Sequence, residues 1–217
     1  MRNQAHTKMQ TDRKLIIVST LAAAALLVGG WMMMRPSGAA GFQQCLKSNV
    51  QGGMDSFGTS FVLTNQDGNR VTDAQVFTKP SLLYFGYTFC PDICPMDAAR
   101  NAAAVDILSE EGLDTQSVFI TVDPARDDPQ ALRDFADAIS PQMIGLTGTP
   151  EETDAASKGW RNYYKLQDSE GSDYYLVDHL ANTYLILPEA GTVEFFTRDV
   201  AAEEIADRTR CFIDATS

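Results

Sequence analysis

Tyr84-Phe85-Gly86-Tyr87-Thr88-Phe89-Cys90-Pro91-Asp92-Ile93-Cys94-Pro95-Met96 is the stretch on which the fold turns. An apolar run over residues 81–88 reads as a buried strand, and it gives way to two closely spaced cysteines. The residues after Pro95 are dense in alanine and free of Gly and Pro until Gly112, which predicts a helix. Pro95 falls in its first turn, where a missing N–H costs nothing. Thiols placed between a strand end and a helix start sit where unpaired backbone N–H groups and the helix dipole favour negative charge, so at least one should be a good thiolate. The Cys-x-x-x-Cys spacing puts i and i+4 on one helical face, so both sulfurs can meet one ligand or each other. Two soft sulfurs on one face are either a redox couple or half of a soft-metal site.

Outward from this stretch, strands alternate with helices. Upstream, the β-prone runs 57–62 and 70–76 flank Asn65-Gln66-Asp67-Gly68-Asn69, whose turn chemistry predicts a hairpin. Downstream, 117–122 reads as a buried strand, 130–139 as an amphipathic helix and 144–146 as a short strand. Thr149-Pro150-Glu151-Glu152 opens a helix read as running to Lys165. Strands are expected at 174–177, 183–187 and 193–196, and a last helix over 200–213. Strand, cysteine pair, helix and a later hairpin predict an α/β domain with a mixed, thioredoxin-like sheet flanked by helices.

At 217 residues the chain has room for one domain and an addition, and the addition is N-terminal. Residues 15–34 carry no charge, and about 20 apolar or small residues are what a helix needs to cross a bilayer. Arg2, Lys8, Arg13 and Lys14 against Asp12 keep the preceding residues 1–14 cytoplasmic by the positive-inside rule. The expected plan is a tail at 1–14, a membrane anchor at 15–34, a linker at 35–53 and a domain at 54–217. It places the domain in an oxidising space, the periplasm or the mitochondrial intermembrane space. A cleaved signal ending in Ser37-Gly38-Ala39-Ala40 is the rival reading, but its apolar core would be longer than usual. Lipid attachment at Cys45 is disfavoured by the bulky Phe42-Gln43-Gln44 ahead of it. A net charge of −12 argues against nucleic acid as a partner. It suits a basic protein or a metal cation, and equally serves plain solubility.

The chain has two histidines. His6 falls in the cytoplasmic tail. His179 follows Asp178 in the connection expected between two strands, within reach of the cysteine helix in such a fold. A lone His in a turn is most often a surface residue. Joined to Cys90 and Cys94, it completes a soft three-donor set suited to Cu(I), or to Cu(II) with a fourth ligand. Zinc in a structural site would want a fourth protein ligand, and no second Cys or His cluster offers one. Met32, Met33 and Met34 end the membrane span and need no copper to explain them.

Four blocks resemble the Sco/SenC family of copper-binding, thioredoxin-like proteins that assemble cytochrome c oxidase. They are Phe85-Gly-Tyr-Thr-Phe-Cys-Pro-Asp-Ile-Cys-Pro95, Val122-Asp-Pro-Ala-Arg-Asp-Asp-Pro129, Gly145-Leu-Thr-Gly-Thr-Pro-Glu151, and Val177-Asp-His179 followed by Tyr184-Leu-Ile-Leu-Pro188. The resemblance covers nearly all of the exported domain with the blocks in order. It implies that Cys90, Cys94 and His179 bind one copper per chain, and that the two cysteines also form a redox-active disulfide. It further implies delivery of copper to the binuclear CuA centre of the oxidase, or reduction of that centre's cysteines. The partners implied are the CuA-bearing subunit and an upstream copper donor or thiol reductant. Leu180 departs from the family, which often has a small polar residue there.

Cys45 and Cys211 lie outside the shared motif. A bridge between them would tie the linker to the last helix, as exported proteins favour; two free thiols or an intermolecular bridge are the alternatives. The acids, Arg126 and prolines of residues 123–129 are first a turn and a helix cap, although strand ends of a parallel sheet place that loop near the cysteines. Two functions compete: a metal carrier that needs His179, and a thiol-disulfide oxidoreductase that does not. A peroxidase would want Thr three residues before its cysteine, and Thr88 is two before Cys90. An inert Cys90–Cys94 bridge would close too short a loop to stabilise much.

Overall fold

The hydrophobic residues after Pro80 form a strand buried at every position, and its neighbour in the sheet is buried at every position too. Such burial requires cover on both faces. The computed structural model describes residues 42–48, 50, 53–167 and 174–216. The expected tail at 1–14 and membrane span at 15–34 lie outside them, and among the described residues no helix is long and apolar enough to cross a membrane.

The described elements are β1 (Val62–Asn65), β2 (Arg70–Thr72), α1 (Asp73–Val76), β3 (Ser81–Gly86), α2 (Ile93–Glu110), β4 (Gln116–Thr121), α3 (Pro129–Ile139), β5 (Met143–Thr147), α4 (Pro150–Gly159), β6 (Tyr164–Leu166), β7 (Val177–His179), β8 (Thr183–Leu187), β9 (Gly191–Phe196) and α5 (Ala202–Asp214). Among them, seven strands form a sheet in the order β2-β1-β5-β4-β3-β8-β9, while β6 and β7 form a separate ribbon. β3, β4 and β5 are parallel, and the flanking pairs are antiparallel. This is the mixed, thioredoxin-like sheet with flanking helices that the sequence predicts.

Two apolar clusters make the core. Leu83, Phe85, Phe119, Leu132, Ala136 and Trp160 belong to one, which reaches Cys94 at the start of α2. The other gathers Leu82, Leu108, Leu185, Phe196 and Phe212, together with Phe42 and Cys45 from the segment expected as linker. Residues 42–48 are thus docked on the domain. Cys45 is bonded to Cys211 of α5, Phe42 packs edge-on against Phe212, and the Lys47 and Ser48 amides donate to the Glu194 carboxylate.

Several boundaries differ from expectation, each for a local reason. The first hairpin strand begins at Val62 rather than residue 57, because Gly58 takes a φ of 113° and its amide bonds the Gly159 carbonyl instead of a strand. The second ends at Thr72, whose side chain caps α1 reciprocally with Gln75. The helix read as reaching Lys165 stops at Gly159, because Arg161 turns left-handed with a φ of 51° and its amide and that of Asn162 bond the Lys158 and Ser157 carbonyls, and residues 164–166 become β6. His179 is consequently not in a loop between sheet strands. It is the last residue of β7, paired with Tyr164 of β6. The caps of α3 (Asp128 with Pro129) and α4 (Thr149 with Pro150 and Glu152) are as the sequence suggests.

Candidate metal centre

β3 ends beside the last residue of β4, Gly86 opposite Thr121, and the chain then turns through residues 87–92 into α2. The turn is pinned from below by Asp127, which is fully buried and accepts from the Thr88 amide at 2.9 Å, the Thr88 hydroxyl at 2.6 Å and the Thr121 hydroxyl at 2.6 Å. Burial pushes the Asp127 carboxyl up against the pull of these donors. The donors exist to be accepted, so the loop that carries Cys90 leaves Thr88 with a fixed heading.

Cys90 and Cys94 are unbridged, the first half-buried and the second fully buried. Asp92, the residue at the helix cap, makes no side-chain cap bond. Cys90 takes that part: its Sγ accepts from the Cys94 amide at 3.3 Å, one of the N–H groups a helix start leaves unpaired. Burial works to raise the Cys90 thiol, but the amides of Asp92, Cys94 and Ile93 and the neighbouring Cys94 thiol together hold it below the ordinary cysteine range. Cys94 is the opposite case. Burial pushes its thiol well up, the charge of Cys90 adds to this, and the Tyr87 backbone and Tyr84 hydroxyl offset only part of it. Gly86 makes room for its sulfur, since a Cβ there would lie 3.1 Å from Cys94 Sγ.

The β6–β7 ribbon brings His179 to the same place. Its Nε2 stands 3.2 Å from Cys94 Sγ, and its ring meets Tyr84 and Tyr87 edge-on, each with centroids 6.0 Å apart. Nδ1 lies 3.0 Å from the Leu180 carbonyl, which can only accept. The proton therefore belongs on Nδ1, and Nε2 presents its lone pair to the sulfur. Burial lowers the imidazole, which favours the neutral ring. Cys90 and His179 both line a cavity of about 280 Å³, with Tyr87, Ile93 and Val177 among its other walls.

The structure thus brings the three sequence-predicted site residues together: Cys90 and His179 line one cavity, and the buried Cys94 touches both, its sulfur at His179 Nε2 and its amide at Cys90 Sγ. As they stand they are not a closed shell: among the described residues no group of three or more His, Cys, Asp or Glu is placed to hold a metal ion. The donor chemistry, two sulfurs and a neutral imidazole, fits a soft ion better than a hard one. Below the pocket, Tyr84 donates to Asp97, a buried carboxylate that also pairs with Arg100 and Arg198. Arg100 reaches the Thr197 and Arg198 carbonyls and the Thr183 hydroxyl, tying α2 to the β8–β9 hairpin. Leu176 of the cavity wall is exposed, and so are Phe89, Met96 and Leu180, which neighbour Cys90, Cys94 and His179 in sequence, at 55%, 60% and 43%. Tyr84 and Tyr175 lie outside the residues that sequence reasoning singled out. Tyr84 sits in a run explained by burial alone, and no pattern marks Tyr175.

The SCO1/SenC family model matches residues 49–214. Protein SenC of Rhodobacter capsulatus is 53% identical over 158 residues, which cover 73% of this chain and 71% of that protein. The mitochondrial SCO1 homolog 1 of Arabidopsis thaliana is 40% identical over 163 residues, 75% of this chain but only 48% of its own length. Among solved structures, Arabidopsis thaliana ScoI with copper bound superposes with a TM-score of 0.69 at 40% identity, over 73% of this chain and 98% of that one.

Proposed function

The chain belongs to the SCO1/SenC family, and on that premise we propose that it is a copper chaperone whose ligands are Cys90, Cys94 and His179. Copper binding and assembly of cytochrome c oxidase are what the family membership brings, and the structure solved with copper bound supports copper as the ion. The observation that carries the ligand assignment is the approach of His179 Nε2 to Cys94 Sγ at 3.2 Å, between residues 85 apart in sequence. The imidazole arrives neutral, with its proton on the far nitrogen, as a metal ligand must.

Each side chain has a distinct part in loading and release. Cys90, at the mouth and held toward thiolate, is the sulfur an incoming donor complex meets first. Cys94 gives up its proton only when copper replaces it, so its burial makes binding conditional on the full set. Release runs by ligand exchange, one donor at a time, to the cysteines of the CuA-bearing subunit of the oxidase. The exposed Phe89, Met96 and Leu180 give that exchange an apolar rim that excludes water from the transfer. The Cys45–Cys211 bridge supports an oxidising compartment. With residues 15–34 as a single inner-membrane span, the domain faces the periplasm or the intermembrane space and receives copper from an upstream donor.

A second reading uses the same sulfurs, and the asymmetry between them favours it. As a thiol-disulfide oxidoreductase, the Cys90 thiolate attacks a disulfide of the CuA site, displacing one partner sulfur as thiolate. Cys94 then loses its proton and displaces the second, so the partner gains two electrons and Cys90 and Cys94 are left bridged. Oxidised, the pair cannot hold copper.

Anaerobic titration with Cu(I) tests the carrier reading. The wild-type chain should take up one copper. His179→Ala should lose stable binding while still reducing a model disulfide. A full copper complement with an unchanged absorption spectrum in that variant would remove His179 from the ligand set.

A further inference from the structure

We propose that Arg126 is a positioning residue for the metal centre, a clamp that holds the His179 ribbon against the cysteine loop. The inference rests on the ligand set proposed above.

His179 belongs to none of the strands of the main sheet. It comes from the two-stranded β6–β7 ribbon, and its distance from the sulfurs depends on whatever fastens that ribbon to the domain. On the side that faces the cysteine loop one fastening is Tyr175, two residues before β7. Its hydroxyl donates to the Asp123 carboxylate at 2.7 Å, and the Arg126 guanidinium lies over its ring, 3.5 Å from the centroid. The same guanidinium is 4.9 Å from the Phe89 ring and 5.7 Å from the Tyr87 ring, both on the cysteine loop. Asp123, itself 1% exposed, fixes the guanidinium through a 2.5 Å bond from Arg126 Nε. One planar cation therefore touches the ribbon on one side and the cysteine loop on the other.

The two sides do not depend on it equally. The cysteine loop has its own anchor, since Asp127 holds Thr88 by amide and hydroxyl. The ribbon's other ties on this side are a Val177 backbone hydrogen bond to the Tyr87 side chain and the edge-on contact of His179 with the Tyr87 ring, neither of which involves a buried carboxylate like Asp127. Loss of the clamp should therefore be felt at His179, with little change at the sulfurs. An Arg is suited to this in a way that Lys is not, because a flat guanidinium stacks on an aromatic face while bonding a carboxylate at its edge.

The test is a double-mutant cycle on the full chain in detergent, with Cu(I) affinity read by competition against a chromogenic chelator and folding by thermal melting. Arg126→Ala should weaken Cu(I) binding by about 10- to 100-fold, the range for residues that orient metal ligands. In a His179→Ala background, where the two thiols keep only weak residual Cu(I) binding, the same change should shift that residual affinity by less than about twofold, because the ligand it positions is gone. Tyr175→Phe, which keeps the ring under the guanidinium and loses the bond to Asp123, should fall between wild type and Arg126→Ala. Arg126→Lys should behave like Arg126→Ala in affinity even when it melts like wild type, which separates positioning from folding. Wild-type affinity in both Arg126 variants would overturn the clamp while leaving the ligand set intact. Equal losses with and without His179 would overturn it too, by assigning Arg126 to the sulfurs or to general stability. Wild-type affinity in His179→Ala alone would instead remove the ligand set, and the clamp with it.

Discussion

Gly86→Ala adds one methyl group at the end of β3, and the structure says where it would go. The new Cβ would stand 2.8 Å from Tyr84 Cε1, 2.9 Å from Phe119 Cε2 and 3.1 Å from Cys94 Sγ, where relaxed contacts between such atoms begin near 3.5 Å. None of the three can swing into solvent, since Tyr84, Phe119 and Cys94 are all buried to within 1%. Overpacking of this kind costs about 1–3 kcal/mol. For a domain of this size, about 2 kcal/mol lowers the melting temperature by about 4–8 °C. The strain is also directional, because the sulfur it pushes is the one His179 faces. Thermal melting of the metal-free protein should show that drop, and chelator competition should show weaker Cu(I) binding than the loss of stability alone explains. A variant that melts with wild type and binds copper with wild-type affinity would refute the close packing of strand, ring and sulfur on which the site description depends.

Removing the bridge as Cys45→Ala/Cys211→Ala should destabilise the domain. The 166-residue separation gives an upper figure of about 5 kcal/mol in the chain-entropy model, read as a lower guanidinium midpoint. Copper stoichiometry should stay at one, since the bridge lies in the second core cluster and the pocket in the first. Copper affinity should rise with pH at neutrality. The Cys94 thiol is raised above its ordinary 9.0, so it is protonated there and each copper bound displaces its proton, at least about tenfold in affinity per pH unit. His179 contributes nothing to that slope, because its lowered value leaves the ring neutral above 6.5, and it competes with protons only below that pH. Potentiometric competition titrations between pH 6.5 and 8 check both points, and a flat profile would contradict the buried-thiol assignment.

The centre of the fold was legible because its causes are local. A fully apolar strand, a cysteine pair and an alanine-rich helix announce β3 and α2 within some 30 residues, and Asp128-Pro129 and Thr149-Pro150 mark helix starts by capping chemistry alone. Spacing put the two sulfurs close together, but not on one helical face as expected, since α2 begins at Ile93 and Cys90 lies in the turn before it, its sulfur accepting from the Cys94 amide. The setting of His179 was not legible, because β6 and β7 pair across a connection that no short-range pattern marks, and because nothing in the sequence signals the left-handed Arg161 that ends α4 ahead of residues 164–166. Arg126 was visible as a loop residue near the cysteines, but its stacking on Tyr175 joins parts of the chain 49 positions apart that share no periodicity. The pairing of Cys45 with Cys211 was one of several open possibilities, since sequence alone does not order connectivity.

That pairing has a mechanical side. Tension arriving along the chain ahead of Phe42 meets a covalent bond to the final helix within a few residues, and is carried into α5 before it can peel any strand from the sheet. Cys90 and Cys94 belong to the other core cluster, at the end of β3, and His179 to the β6–β7 ribbon, so a pull taken up by the bridge enters the domain through a part of the core that holds neither sulfur of the proposed site.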